Sequence, residues 1–293
     1  MPELPEIEAY LFALRSRIVG ERLIGVRIRS VSVLRTYDPP VDAIVSQTVV
    51  ALRRVGKRIV MDLDDGVHVV VHLMVAGRLK WLPPGAPIPS RSGLAAFDFT
   101  EGTLLLTEAG SKRRASIHLV DADGLKLLDP GGAEIADLDT EGFGERLGRE
   151  RHTLKRTLTD PHLFSGIGGA FADEILWAAG LSPTQMSTNL DRAEVERLFD
   201  AAGDTLTRWT EIRIADTGDG FPMKVTAFHP DMAVHGKFEQ PCPKCSVTIR
   251  RIVHGTRETN YCPGCQTGGK ILADQALSKL LKEDRPKSIE DLE

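Results

Sequence analysis

Between residues 5 and 19 the apolar positions Ile7, Tyr10, Leu11, Leu14 and Ile18 recur at helical spacing with charges between them, the pattern of an amphipathic helix docked on a core. Gly20 suits the stop. The period then changes. The segments Leu23–Val33, Val49–Leu52, Arg58–Leu63, Val67–Leu73, Leu94–Phe99 and Thr103–Thr107 are short and mostly rich in β-branched or aromatic residues, which predicts strands. Asp64-Asp65-Gly66 and Glu101-Gly102 read as hairpin turns. So many short strands joined by tight turns predict an antiparallel sandwich or barrel. Two loops interrupt it, Pro-rich over 82–93 and basic over 108–114.

Residues 121–150 turn to Asp, Gly and Glu and read as a linker into a helical half. Helices are predicted over Thr153–Leu158, Ala170–Ala179 and Asp191–Trp209, with the glycine-dense turn Phe164-Ser165-Gly166-Ile167-Gly168-Gly169 between the first two. A helix–glycine turn–helix is either an ordinary helical hairpin or a place where backbone amides at a helix start hold a phosphate. Near the end, Thr248–Val253 and Glu258–Tyr261 suit two strands joined by His254-Gly255-Thr256-Arg257. Ile271, Leu272, Ala276, Leu280 and Leu281 suit one further short helix before an acidic end. No internal repeat is present.

Composition narrows the class. With 293 residues, 42% hydrophobic and 27% charged, the chain has room for two or three cores. No apolar run approaches the roughly 20 residues of a membrane span, and the start lacks a signal pattern, so a cytoplasmic protein with no membrane partner is expected. The net charge of -4 and a pI near 6.1 do not advertise a nucleic-acid binder. Basic clusters at Arg53-Arg54 with Lys57-Arg58, at Lys112-Arg113-Arg114 and at Arg250-Arg251 still allow a cationic face beside acidic segments.

Two stretches carry candidate chemistry. All four cysteines lie in Cys242-Pro-Lys-Cys245 and Cys262-Pro-Gly-Cys265, sixteen residues apart, a spacing that closes a four-thiolate zinc site in preference to two disulfides or free thiols. Four thiolates leave no open position, so one structural Zn2+ is expected, folding a short ribbon with too little core of its own. The start, Met1-Pro2-Glu3-Leu4-Pro5-Glu6, has two readings. One is a helix start, with Pro in the first turn and acids at the positive end. In the other, loss of Met1 frees a proline amine that titrates near ~8, is partly neutral at physiological pH, and attacks a carbonyl-like carbon with Glu3 moving protons.

Together these motifs, in this order over roughly residues 1–267, resemble the formamidopyrimidine-DNA glycosylase / endonuclease VIII family. Leu4, where the endonuclease VIII branch tends to have Gly, places the chain nearer the formamidopyrimidine branch. The resemblance implies an α+β multi-domain fold: an N-terminal β-sandwich with an N-terminal helix (1–130), a helix-two-turn-helix DNA-binding domain (131–225), a zinc-ribbon finger (226–267) and a C-terminal extension (268–293). It implies base-excision repair by a bifunctional DNA glycosylase/AP lyase. Oxidised bases would be removed through a Schiff base on Pro2 and the strand cut by β,δ-elimination, the chain acting as a monomer on damaged double-stranded DNA at the nucleoid. The family pattern gives Pro2 as nucleophile, Glu3 as the acid/base beside it, and Lys57 and Arg257 as cations on the lesion backbone. Glu6 falls at a further family acid.

Three departures separate the chain from that pattern. The usual Gly-x-Gly-Asn turn reads Gly166-Ile167-Gly168-Gly169, so Gly168 and Gly169 offer backbone but no amide side chain. The His-Leu-Gly-Met loop reads His72-Leu73-Met74-Val75, shifting Met74, the candidate base-stack wedge, by one position. The Arg-x-Phe wedge has no aromatic counterpart in 108–118, where Arg113 is the DNA-binding candidate. These departures imply an alternative: a damage- or abasic-site-binding protein of the same fold with weak or no turnover. A zinc-ribbon transcription or RNA-binding module explains only 242–265.

Overall fold

The computed structural model describes residues 1–110, 112–222, 225–226, 228–255, 257–273 and 287–292. The chain divides into two compact units, Met1–Pro130 with Arg208–Ala227, and Gly131–Thr207 with Phe228–Glu293.

The first unit starts with helix α1 (Leu4–Ile18). Eight strands follow: β1 (Gly25–Ile28), β2 (Val49–Val55), β3 (Arg58–Leu63), β4 (His68–His72), β5 (Gly77–Leu82), β6 (Gly93–Asp98), β7 (Thr103–Glu108) and β8 (Ser116–Val120). They form two four-stranded sheets, β1-β6-β7-β5 and β2-β3-β4-β8, antiparallel throughout. Strand alternation puts Ile59, Met61, Val69, Val71, Ile117 and Leu119 of one sheet and Ala95, Phe97, Leu104 and Leu106 of the other into one core. The apolar face of α1 (Ile7, Leu11, Leu14, Ile18) closes that core, which fixes the chain start in place.

Several sequence expectations change. Strands β5 and β8 were not read from the sequence. Both are edge strands, and in β5 the polar Arg78 and Lys80 alternate with Leu79 and Trp81, a pattern that names a strand only beside a partner. The expected strand Leu23–Val33 is shorter, strand at Gly25–Ile28 and a 3-10 turn at Val31–Val33. The linker expected over 121–150 is ordered helix. Helix α2 (Ala122–Leu128) starts at Asp121, whose carboxylate accepts the Gly124 N–H at 2.8 Å. Its Leu125 packs on Val60, Val70 and Val120, which explains why β3 and β4 read as continuous apolar runs: both of their faces are covered.

The second unit begins with α3 (Thr140–Gly148), capped by Asp139 on Gly142 N–H and burying Phe143 and Leu147 one turn apart. Then come α4 (Leu154–Leu158) and α5 (Gly169–Ala179), with the glycine turn between them. Helix α6 (Arg192–Thr217) runs eight residues past the expected end at Trp209, carrying Leu198, Ala202, Leu206, Trp209 and Arg213 to buried positions. Strands β9 (Arg250–His254) and β10 (Arg257–Tyr261) form the two-stranded ribbon. Arg257 belongs to β10 and pairs with His254 rather than forming the hairpin tip. Helix α7 (Pro263–Gln266) closes the second cysteine knuckle. Most of the helix expected over Ile271–Leu281 lies outside the described residues. Among the described residues no helix is long and apolar enough to cross a membrane.

Candidate functional site

In the first unit the chain start is buried among charges. Pro2 is buried, Glu3 is 3% and Glu6 1% exposed. The two acids form a reciprocal capping box at the start of α1: the Glu3 N–H donates to Glu6 Oε2 at 2.8 Å and the Glu3 carboxylate accepts the Glu6 N–H. The helix-start reading is therefore structurally correct. Burial lowers the amine of Met1, one residue before Pro2, below its ordinary value, with Arg78 and Lys57 pushing the same way and Glu3 and Glu6 opposing.

Lys57 stands in the turn between β2 and β3, where Gly56 takes a left-handed φ of 59°. It is half-buried, and burial holds its ammonium below the usual lysine value against the pull of Glu3 and Glu6. Among the described residues Lys57 makes no hydrogen bond or ion pair. Arg58 and His72 sit opposite each other on β3 and β4. Burial first, then Arg58 and Lys57, lower His72 to about 4, so it stays neutral at physiological pH. The sequence assigns no site role to Arg78, and His72 enters it only as part of the His72-Leu73-Met74-Val75 loop.

The loop after β4 is tight. Gly77 N–H donates to Leu73 O at 2.9 Å, and a Cβ at Gly77 would meet that oxygen at 2.2 Å. Met74 adopts a left-handed φ of 53° and is half-buried, while Val75 is 59% exposed. Arg113 is exposed and donates to Arg91 O at 2.8 Å.

In the second unit the glycine turn ends at Gly168, the buried N-cap of α5, followed by Gly169. A Cβ at Gly169 meets nothing within 4 Å. Helix α5 is joined to the ribbon by a buried polar network. Lys155 Nζ donates to Asp173 Oδ1 at 2.6 Å and to Glu258 O at 2.7 Å. Asp173 Oδ2 lies 2.9 Å from His235 Nδ1 and accepts the Asn260 N–H at 3.2 Å. Glu174 accepts the N–H groups of Ala233, Val234 and His235 at 2.8, 2.9 and 2.9 Å; burial raises its carboxyl above the usual value and those three bonds oppose the shift. Arg257 is exposed on β10, its side chain without a hydrogen bond or ion pair among the described residues.

The four cysteine sulfurs all lie within 4.8 Å of one another. Cys242 and Cys265 are 3.8 Å apart and Cys245 and Cys262 3.3 Å, near the ~3.8 Å edge of a tetrahedron with ~2.3 Å Zn–S bonds. The donor set and its spacing fit one structural zinc ion. Trp177 on α5 donates its indole N–H to Cys242 Sγ at 3.3 Å, a contact to a metal ligand from outside the ribbon.

A buried, acid-capped chain start on an antiparallel sandwich, and a helix–turn–helix hydrogen-bonded to a four-thiolate ribbon, define a modular protein with a zinc finger. Comparison with known proteins specifies it. Residues 1–117 match the formamidopyrimidine-DNA glycosylase N-terminal domain, 131–217 the formamidopyrimidine-DNA glycosylase H2TH domain, and 239–268 a zinc finger found in FPG and IleRS. A formamidopyrimidine-DNA glycosylase of Carboxydothermus hydrogenoformans is 31% identical over 91% of this chain and 100% of its own length. One of Pelotomaculum thermopropionicum is 31% identical over 91% and 99%. The fold is similar to that of a Lactococcus lactis FPG mutant in complex with a Fapy-dG containing DNA, with a TM-score of 0.79 and 24% identity over 91% of this chain and 100% of that one. The chain belongs to the formamidopyrimidine-DNA glycosylase family.

Proposed function

We propose that the protein is a base-excision DNA glycosylase and AP lyase that uses Pro2 as its nucleophile. The observation that carries this reading is the setting of the chain start: a buried Pro2 followed by the buried acids Glu3 and Glu6, with the Lys57 ammonium, which has no hydrogen bond or ion pair among the described residues, acting on the same terminus. Loss of Met1 makes the secondary amine of Pro2 the chain start. An α-amine titrates near ~8, well below lysine, so part of it is neutral and nucleophilic at physiological pH. Its nitrogen attacks C1′ of the lesion nucleotide as the C1′–base bond breaks, and the departing base takes a proton for which Glu3 is the proposed donor. The ring opens to an iminium at C1′, which acidifies the 2′ hydrogen. Loss of that proton expels the 3′ phosphate, and a second elimination expels the 5′ phosphate. Hydrolysis then frees Pro2.

Flipping the nucleotide costs a few kcal/mol, and cations on the backbone offset it. Lys57 and Arg257 are the residues proposed for that contact, together with the amides at Gly168 and Gly169. Met74 and Val75, on the tight loop after β4, are the candidates to fill the vacated stack. Damaged duplex DNA containing oxidised bases is the proposed substrate, consistent with the named activity of the relatives. The zinc ion has no step in this chemistry; it orders the ribbon that carries Arg257.

Borohydride trapping tests the reading. Incubation with DNA carrying an oxidised base or an abasic site gives a covalent adduct, and Pro2→Gly abolishes it. Absence of an adduct across oxidised purines, oxidised pyrimidines and abasic sites would overturn the enzymatic reading. Gly169 favours one second reading, a damage-binding protein with weak turnover, whose outcome is salt-dependent abasic-site binding without strand cleavage.

A further inference from the structure

The chain that returns to the first unit, described over 208–222 and 225–226, is fastened to α1. Arg17 Nη2 donates to Asp219 O at 3.0 Å and Gly220 O at 2.8 Å. Phe221 packs on Tyr10 with ring centroids 5.7 Å apart, and Val225 joins the sandwich core. The contact nearest the chain start is ionic. Arg213, 7% exposed, places Nε at 3.1 Å and Nη2 at 3.0 Å from Glu6 Oε1. Its Nη2 also donates to Thr226 O at 2.8 Å, and the guanidinium lies 5.7 Å from the Trp209 ring. The other oxygen of Glu6 accepts the Glu3 backbone N–H.

We propose that Arg213 is a positioning residue for the reactive chain start, acting through Glu6: it anchors the carboxylate that fixes the Glu3 backbone. The proposal rests on the reading in which the chain-start amine is the nucleophile.

The electrostatics follow from the groups around Glu6. Those are Arg213 on α6, Glu3 and Tyr10 on its own helix, Lys57 in the β2–β3 turn and the chain-start amine; Arg78 on β5 faces the amine and Tyr10. Burial raises Glu6 to about 7, Glu3 adds to the rise, and Arg213 with the Glu3 N–H bond opposes it. Without Arg213 the carboxyl moves further up and is protonated at physiological pH. The amine then loses a negative neighbour that favoured its ammonium form, so its own value falls. Adduct formation requires the free amine, and its acid limb therefore moves to lower pH. The slackened Glu3 backbone lowers the rate at the optimum at the same time.

The test uses full-length zinc-loaded protein with its mature N-terminus, comparing wild type, Arg213→Gln and Arg213→Lys. Titration of 13C-labelled glutamate carboxyls by NMR should show the Glu6 midpoint moving up from about 7 in the wild type in Arg213→Gln, and returning toward the wild-type midpoint in Arg213→Lys. Trapping on abasic DNA should show roughly tenfold slower adduct formation in Arg213→Gln, an acid limb displaced downward, and partial recovery in Arg213→Lys. An unmoved Glu6 titration would overturn the proposal. So would slower trapping that tracks thermal destabilisation with the acid limb in place. If Arg213→Gln does not fold, the lysine variant carries the same test in reduced form. A wild type that forms no adduct at any pH, with Glu6 still shifting in Arg213→Gln, would overturn the nucleophile assignment and leave the Arg213–Glu6 link standing.

Discussion

At the scale of single residues, Gly169 separates a lost contact from a lost site. As the first residue of α5 it has an open Cβ direction, and its φ is not left-handed, so nothing in the backbone demands glycine there. The glycine removes a side chain without reshaping the turn. If the turn holds a DNA phosphate, Gly169→Asn adds a charge-assisted hydrogen bond of about 1.5–3 kcal/mol. The expected outcome is roughly tenfold to hundredfold tighter binding to abasic duplex in a fluorescence-anisotropy titration, with unchanged or slightly higher thermal stability. Unchanged affinity in a folded variant would remove the phosphate role from this turn. Pro2, Glu3, Lys57 and Arg257 were named from local motif and resemblance, because each stands in a short diagnostic stretch. Arg213 and Arg78 were not. Arg213 is 207 residues from Glu6, and no local pattern marks a cation whose partner is that remote.

Among elements, the legible ones are those whose own period exposes them. Helix α1 carries a full apolar stripe, and the central strands alternate or run apolar. Helices α2 and α3 were missed because each is short and contains helix-weakening glycine; they are held by an aspartate cap and one or two buried side chains rather than by a continuous stripe. Helix α5 has a role its sequence does not announce, since it ties the turn to the ribbon through Asp173, Glu174 and Trp177. Trp177→Phe keeps an aromatic ring against the ribbon's apolar cluster and removes the N–H to Cys242. Zinc release to a chromophoric chelator should quicken by roughly tenfold, within the range typical of contacts to metal ligands. An unchanged release rate would show that the indole serves packing alone.

For the molecule as a whole, zinc and fold are coupled in one unit and not the other. The ribbon's apolar cluster is small, Val234, Cys242, Ile249 and Cys262 with a few partly buried neighbours, and two of its members are metal ligands. The sandwich has its own core of more than twenty buried side chains spanning both sheets and α1, enough to stand without metal. Cys262→Ser should therefore melt the ribbon, displace Arg257 and weaken DNA binding. Unit one should keep its strand signal and cooperative unfolding, read by circular dichroism and by amide exchange on β3 and β4. Retained DNA affinity in the metal-free variant would show the ribbon dispensable for binding.

The sequence by itself determined the zinc ribbon, the sandwich with its docked first helix and the family, since each rests on short-range spacing: two cysteine pairs, a helical stripe, a period of two. Only the tertiary structure decided which charges meet. Glu6 with Arg213, Lys155 with Asp173, and the edge strands β5 and β8 are set by strand register and chain return, because a buried charge is stabilised by whichever partner the fold delivers to it, at any distance along the chain.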